Sequence, residues 1–180
     1  LHAFNNPKAQ FHKKFSLDDV ANSAMVAAPL RLLDCSPISD GVAAVILSSK
    51  KSTRKTQILG FGHGQDTLAL QDRKDLGTLV ATQKAAKQAF NQSVLTQKDI
   101  QAIEVHDCFS IAEILAAEDL GFFAKGQAAQ AIANGQATFG GQIVINPSGG
   151  LKACGHPVGA TGVKQIAYLS SLIEAGQFDR

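Results

Sequence analysis

Two short segments of the chain combine imidazole and thiol groups with turn-forming residues, a setting suited to moving protons. The first is Asn146–Gly162, in which His156 follows a glycine and precedes a proline. It comes after the short apolar run Gln142–Ile145, which reads as a buried strand, and before a helix predicted from Val158. Small neighbours let a substrate approach the backbone closely. His156 is therefore a candidate catalytic residue.

The second segment contains His106 and Cys108, directly after a strand predicted over Gln101–Val105 and before a helix predicted over Ser110–Gly121. In extended backbone, residues two apart point to the same side. Both segments then lie at carboxyl ends of strands, where α/β folds build their sites. Two imidazoles and a thiol would suit proton transfer. The alternative is a buried cysteine that packs as a small hydrophobe beside a solvated His–Asp pair.

The remaining pattern indicates an α/β chain. A capping box at Ser16–Asp19 opens a short helix, and apolar residues predict a helix between Thr78 and Asn91. Buried strands are predicted at Val42–Leu47 and Thr56–Gly62. The charged stretch Lys50–Lys55 is predicted to be a solvated linker at a domain boundary.

Composition excludes several classes of protein. The formal net charge is +2, which gives no electrostatic reason to bind nucleic acid or a membrane surface. No apolar run approaches the ~20 residues of a membrane-spanning helix, and the start of the chain has no signal-peptide pattern. The three cysteines show no disulfide spacing, so we expect a reducing, cytoplasmic location.

Ordered motifs give the chain a family resemblance. Asn146–Gly162 resembles the thiolase signature, with Gly155-His156-Pro157 as its histidine turn. His106-Asp107-Cys108-Phe109 is similar to the form of a second family box that occurs in the sterol-carrier-protein-2 type of thiolase and in acetyl-CoA acetyltransferases. The further segments that fit, in the right order, are Asn6–Phe11, Pro29–Cys35 and Ser39–Ala44.

The resemblance implies a thiolase-like α/β fold in which each half of the subunit is a mixed five-stranded sheet layered with helices. Residues 1–54 would end the N-terminal half, and residues 55–180 would form an incomplete C-terminal half. The family's nucleophilic cysteine would lie upstream of Leu1 and two further strands beyond Arg180. We therefore expect an internal fragment of a protein of roughly 400 residues, inactive by itself.

The resemblance also implies roles for residues. His156 would accept the proton of the absent cysteine, His106 would hold an oxyanion-hole water, and Cys108 would be the second acid/base. Gly150 and Gly159 would let the ligand approach. The substrates would be coenzyme A and acyl-CoA, with no cofactor and no metal, and the full-length protein would be a homo-oligomer.

Two alternatives remain open from the sequence. Together, His106, Cys108, Cys154 and His156 offer two thiols and two imidazoles, a set that zinc accepts, although each pair has a one-residue spacer. The other alternative is a non-catalytic thiolase-like protein that binds acyl-CoA or a partner protein. A reactive cysteine in the upstream sequence would favour the enzyme.

Overall fold

A computed structural model describes residues 2–50 and 53–180 as a mixture of helices and short strands. The helices are α1 (His2–Asn5), α2 (Leu17–Ala21), α3 (Val80–Ser93), α4 (Ser110–Asp119), α5 (Ala128–Ala133), α6 (Gly150–Cys154) and α7 (Thr161–Glu174). The strands are β1 (Met25–Ala27), β2 (Leu30–Arg31), β3 (Ala102–Ile103) and β4 (Val144–Ile145).

The pairing of β3 with β4 positions the site. The two strands are parallel, with Ala102 opposite Val144 and Ile103 opposite Ile145. Parallel strands place their carboxyl ends at the same sheet edge, so the segments that follow them emerge side by side. These are the segments that carry His106 and His156.

A core of aliphatic, alanine and phenylalanine side chains supports this strand pair. The apolar side of α4 packs against α5 and against Ile143 and Ile145, and Ala117 and Ala128 have no exposed surface. Small side chains at such contacts let helices approach closely without leaving voids. The strand pair is therefore held from below by helices, while its carboxyl edge stays accessible.

A buried carboxylate joins α3 to α4. Asp119, at the end of α4, accepts hydrogen bonds from the Leu79 backbone N–H at 2.6 Å and from the Gln83 amide at 2.8 Å. Lys125 pairs with it at 3.0 Å. The first N–H groups of a helix have no partner within the helix, and Leu79 has no side chain that could supply one. Asp119 thus caps α3 from a neighbouring helix.

The predicted helices are confirmed. The Ser16–Asp19 capping box forms, with the serine and aspartate side chains each bonded to the other's backbone N–H. The predicted helices at 78–91 and 110–121 correspond to α3 and α4 within a few residues. Helix α7 begins at Thr161, three residues later than predicted, after the turn that carries His156.

The prediction of a buried strand at Val42–Leu47 is wrong in this structure. The segment forms no strand, and Val42 and Ile46 are 93% and 97% exposed. Apolar residues form a buried strand only when another layer covers them, and no described residue does so here. Across the described residues, strands pair only in twos. In the predicted linker, Lys51 and Ser52 lie outside the described residues.

The predicted strand at Thr56–Gly62 also forms no ladder, but its glycines serve another purpose. From Phe61 to Asp66 the residues alternate between exposed and half-buried, the period of extended backbone. Gly60, Gly62 and Gly64 lie against the carbonyl oxygens of Ala89, Ala85 and Ala81 of α3. The Phe61 and His63 N–H groups donate to Gln92 at 2.8 Å and Gln88 at 3.0 Å. Two extended residues span about the same length as one helical turn. Every second residue of the segment therefore meets the next turn of α3.

We expect Gly62→Ala to destabilise the protein. Its new Cβ would overlap the Ala85 carbonyl oxygen, which belongs to a helix backbone and cannot move aside. We expect the free energy of unfolding to fall by about 1–3 kcal/mol, the usual cost of overpacking. Denaturant unfolding monitored by circular dichroism measures it.

The matched control is Gly162→Ala, in which the added Cβ meets nothing within 4 Å. Because Gly162 lies inside α7, alanine should leave stability unchanged or raise it. Equal unfolding free energies for the Gly62 variant and the natural protein would contradict the tight packing of this segment on α3.

Candidate functional site

Two histidines from separate loops meet at the carboxyl edge of the β3–β4 pair. The ring centroids of His106 and His156 are 4.8 Å apart, and the rings cross at 79°. His106 is exposed and His156 is half-buried. The pair therefore offers imidazole nitrogen atoms to a molecule arriving from solvent.

The hydrogen bonds of Thr161 set the tautomer of His156. The Thr161 hydroxyl donates its only proton to the Pro157 carbonyl oxygen at 3.0 Å. It therefore acts as an acceptor toward Nδ1 of His156, 2.8 Å away. This places the proton of neutral His156 on Nδ1 and leaves a lone pair on Nε2. An imidazole held in this way is prepared to accept a proton.

The surroundings of His106 favour its neutral form. Although the residue as a whole is exposed, partial desolvation of its ring lowers its pKa from the ordinary value. The nearby His156 lowers it further, whereas the Asp107 carboxylate acts in the opposite direction. A neutral imidazole has one N–H donor and one acceptor nitrogen. His106 is thus able to hold a water molecule or a substrate oxygen by hydrogen bonding.

A segment that received no role from the sequence clamps both loops. The Ser36 N–H donates to the Cys108 carbonyl oxygen at 2.9 Å, and Cys35 pairs with Phe109 in an isolated bridge. The His156 N–H donates to Ser39 Oγ at 3.3 Å. Residues 35–39 therefore span the loops of Cys108 and His156. The polar Ser-Pro-Ile-Ser turn was the available signal, but only tertiary contacts reveal what it touches.

Asn146 fixes the geometry beneath the histidines. Its side-chain oxygen accepts from the Val105 N–H at 2.8 Å, and its amide N–H donates to Glu113 at 2.8 Å. Its own backbone N–H donates to the Ile103 carbonyl oxygen at 2.8 Å. Asn146 has a φ of 50°, a left-handed conformation that asparagine tolerates better than most residues. It therefore continues the strand pairing by one step and turns the chain.

Half-buried carboxyl groups lie next to this asparagine. Glu104 accepts from the Ser148 N–H at 2.8 Å and from its hydroxyl at 2.9 Å. Burial raises the pKa of Glu104 to about 6 against these hydrogen bonds. Burial, followed by repulsion from Asp107, raises the pKa of Glu113 to about 7. Close carboxylates with little access to water do not all ionise readily.

The other predicted site residues occupy distinct surroundings. Cys108 is a half-buried free thiol on the His106 loop. Gly150 has a φ of +76° and packs against the Asp107 carboxylate, whereas Gly159 is exposed, with open space where a side chain would be. The structure thus brings His106 and His156 together. Cys108 lies two residues after His106 on the same loop. The substrate-binding roles of the glycines stay predictions.

The described residues contain no group of three or more metal-type ligands from histidine, cysteine, aspartate and glutamate that could hold a metal ion. In the set considered for zinc, the histidines instead pack edge to face. Cys154 donates its thiol to the Ser148 carbonyl oxygen at 3.2 Å.

The α/β arrangement and the two histidines that follow its parallel strands agree with the protein family that the sequence matches. Residues 62–174 match the family described as "Thiolase C-terminal domain-like". That match covers more than half of the sequence. The chain belongs to the thiolase family, in the region of its C-terminal domain.

Curated relatives are similar over nearly the whole chain. The acetyl-CoA acetyltransferase of Methanothermobacter thermautotrophicus is 52% identical over 170 residues, which cover 92% of this chain and 44% of that protein. Human sterol carrier protein 2 is 42% identical, with 93% of this chain and 32% of that protein covered. A Caenorhabditis elegans relative, 41% identical over 95% of this chain and 44% of its own length, is named non-specific lipid-transfer protein-like 2. The chain thus spans less than half the length of these relatives.

A solved structure shares the fold. The chain superposes on the Ltp2-ChsH2(DUF35) aldolase with a TM-score of 0.78 and 26% identity, covering 96% of this chain and 47% of that one. This likeness confirms a thiolase-like α/β arrangement. Within the described residues, no helix has the length and apolar character needed to cross a membrane.

We expect Thr161→Val to change the tautomer of His156. Thr161 is fully buried, and valine keeps its shape but removes the acceptor for the Nδ1 proton. Without that acceptor, neutral His156 should populate the Nε2–H form, the one less suited to accept a proton there. Nitrogen-15 chemical shifts of the imidazole report the tautomer directly.

Thr161→Ser is the matched control because it keeps the hydroxyl and removes only a methyl group. It should retain the Nδ1–H tautomer. The same tautomer in the valine variant would show that the Thr161 contact does not control His156.

The raised pKa of the half-buried Glu113 predicts a pH dependence of stability. A carboxyl group with a raised pKa binds its proton more tightly in the folded than in the unfolded protein. Its contribution to stability is complete below the ordinary value of 4.5 and is lost as the pH rises through about 7. Glu113→Gln keeps an acceptor for Asn146 without the charge. We expect it to flatten the fall in unfolding free energy between about pH 5 and 7 by on the order of 1–3 kcal/mol.

Denaturant unfolding at several pH values measures this effect. Glu174→Gln is the control of opposite sign, because hydrogen bonds from Thr56 lower the pKa of Glu174. That variant should lose stability above the ordinary carboxyl pKa and keep the decline toward pH 7. An unchanged slope in the Glu113 variant would contradict the assignment.

Proposed function

We propose that the full-length protein containing this chain is an acyl-CoA acyltransferase of the thiolase type. The observation that carries the proposal is the His106–His156 pair, with Nε2 of His156 free to accept a proton. The acetyl-CoA acetyltransferase relatives and the family match support this reaction class.

The proposed first half-reaction acylates a cysteine that lies outside this chain. His156 takes the proton of that thiol, and the thiolate attacks the acyl-CoA carbonyl carbon. His106 holds a water molecule that stabilises the oxyanion together with His156. The bond between the acyl carbon and the CoA sulfur then breaks, and the departing thiolate takes the proton from His156.

The proposed second half-reaction forms the carbon–carbon bond. The Cys108 thiolate removes a proton from the α-carbon of a second acyl-CoA. The carbanion attacks the acyl-enzyme carbonyl carbon, and the bond to the enzyme sulfur breaks. The proton held by Cys108 then passes to the departing enzyme thiolate, which restores the starting thiol and the Cys108 thiolate. Thiolates suit both halves because they exchange with thioesters near neutral pH.

The rest of the proposal concerns the whole protein. Residues 1–54 and 55–180 would belong to its two halves, each with a mixed five-stranded sheet. Gly150 and Gly159 would border the substrate, which needs no further cofactor. The full-length protein would be a cytoplasmic homo-oligomer that binds neither nucleic acid nor membranes.

A second candidate function follows from the aldolase neighbour and the lipid-transfer relatives. A protein without the acyl-accepting cysteine could use the same histidines to cleave a carbon–carbon bond, or it could bind acyl-CoA without turnover. An acyl-enzyme forms only in the thiolase reaction. Its presence or absence therefore separates these functions.

The test uses the full-length protein with acetyl-CoA. We expect His156→Ala to lower turnover by about 10²–10⁴-fold, the range for losing a general base or an oxyanion donor. Cys108→Ala should prevent carbon–carbon bond formation while the acyl-enzyme still accumulates. Intact-protein mass spectrometry detects the acyl group, and a coupled assay measures turnover.

The controls are His63→Ala and Cys154→Ala. His63 is exposed on the segment that packs against α3, and the Cys154 thiol is bonded to Ser148. Both should keep turnover within about twofold of the natural protein. The 180-residue chain alone should neither form an acyl-enzyme nor turn over. Full activity of both site variants, or turnover by the isolated chain, would refute the proposal.

A further inference from the structure

Asp107, which lies between the predicted site residues His106 and Cys108, has its own set of contacts. His106 meets His156, but the next side chain, Asp107, turns toward α6. Its Oδ1 accepts the Leu151 N–H at 2.9 Å. Its other oxygen lies directly against Gly150, where a Cβ would overlap it. Any side chain at position 150 would occupy the space that this carboxylate fills.

These contacts join the two halves of the site through one side chain. Helix α6 ends at Cys154, and His156 follows it after a single glycine. Asp107 thus connects the loop of His106 and Cys108 to the first turn of the helix that leads to His156. Gly149 and Gly150 both have positive φ, 100° and 76°, conformations that glycine adopts without strain. The turn is shaped to receive the carboxylate.

Burial and the groups around Asp107 act on its ionisation in opposite directions. Burial raises its pKa, but the Leu151 N–H, its own N–H, Lys164 and His106 all act to lower it. Its negative charge in turn raises the pKa values of Glu113, Glu104 and Cys154.

The groups that face His106 are of both signs. His156 and Lys164 disfavour a positive charge on its ring, and Asp107 favours one. Two imidazoles 4.8 Å apart do not readily carry positive charge together. The negative charge of Asp107 therefore offsets part of the repulsion that a positive charge on His106 meets.

We propose that Asp107 is a positioning residue of the site: its carboxylate anchors the His106–Cys108 loop on the Gly150–Leu151 turn and keeps a negative charge near His106. The effect on turnover rests on the proposed function, whereas the anchoring and the charge interaction do not. Asp107 touches no reacting atom and acts through its neighbours.

The test measures the imidazoles themselves. The full-length protein is labelled with carbon-13 at histidine Cε1 and titrated by nuclear magnetic resonance. In Asp107→Asn, which keeps an oxygen for Leu151, the proton affinity of His106 should fall about threefold or more. Asp34→Asn is the matched control. Asp34 and Asp107 both line a cavity of about 300 Å³, but Asp34 is bonded to Ser110 and Arg31 instead. It should leave the titration of His106 unchanged.

A measurement on the natural protein covers the case in which the variant does not fold. If the two groups interact, the Asp107 carboxyl carbon must show a second inflection at the midpoint of the His106 titration. A single acidic inflection, or an unchanged His106 midpoint in folded Asp107→Asn, would overturn the proposal.

Turnover separates this proposal from the proposed function. In an active full-length enzyme, Asp107→Asn should lower kcat by about tenfold or more, the lower end of a misplaced acid/base group, with KM for acyl-CoA nearly unchanged. An unaltered kcat would overturn the role in the reaction. If the natural full-length protein shows no acyl transfer, the proposed function is refuted. The titration still tests the placement of Asp107 in that case.

Discussion

The site depends on the parallel pairing of β3 with β4. Only four residues form this ladder, yet it determines that the segments after Ile103 and Ile145 leave the sheet side by side. Asn146 extends the pairing beyond the strands by bonding to Ile103 and Val105. Parallel pairing is slightly less stable per residue than antiparallel pairing. Because this pair is also very short, it requires support from its surroundings.

That support comes from buried polar groups. Glu113 holds the Asn146 amide, Glu104 holds Ser148, and Gln165 of α7 donates to the Val105 carbonyl oxygen at 2.8 Å. Removing one member of such a network leaves its partner unsatisfied in a region of low dielectric constant. The cost is a cluster of acidic groups with raised pKa values. The benefit is a pair of loops held at fixed separation.

The same constraint places the two histidines in different surroundings. Thr161, at the start of α7, fixes the tautomer of His156, while His106 lies in the opposing loop and faces solvent. The turn at residues 35–39 lies across both loops and bonds to each. Under the proposed function, one ring accepts protons and the other binds oxygen, which suits chemistry at a thioester.

The sequence by itself determined the helices, the α/β class, the family and the residues worth testing. Helix signals such as the Ser16 capping box and the apolar face of α3 act over a few residues, so local order is enough to reveal them. The His106 and His156 motifs are equally local. Strand prediction failed at Val42–Leu47, because burial of a strand depends on distant residues that cover it. The tertiary structure alone decided that Gly60, Gly62 and Gly64 pack on α3, that Ser36 and Ser39 clamp the site, and that Asp107 turns toward α6. Each of these is a contact between segments far apart in the chain, whose geometry no local pattern encodes.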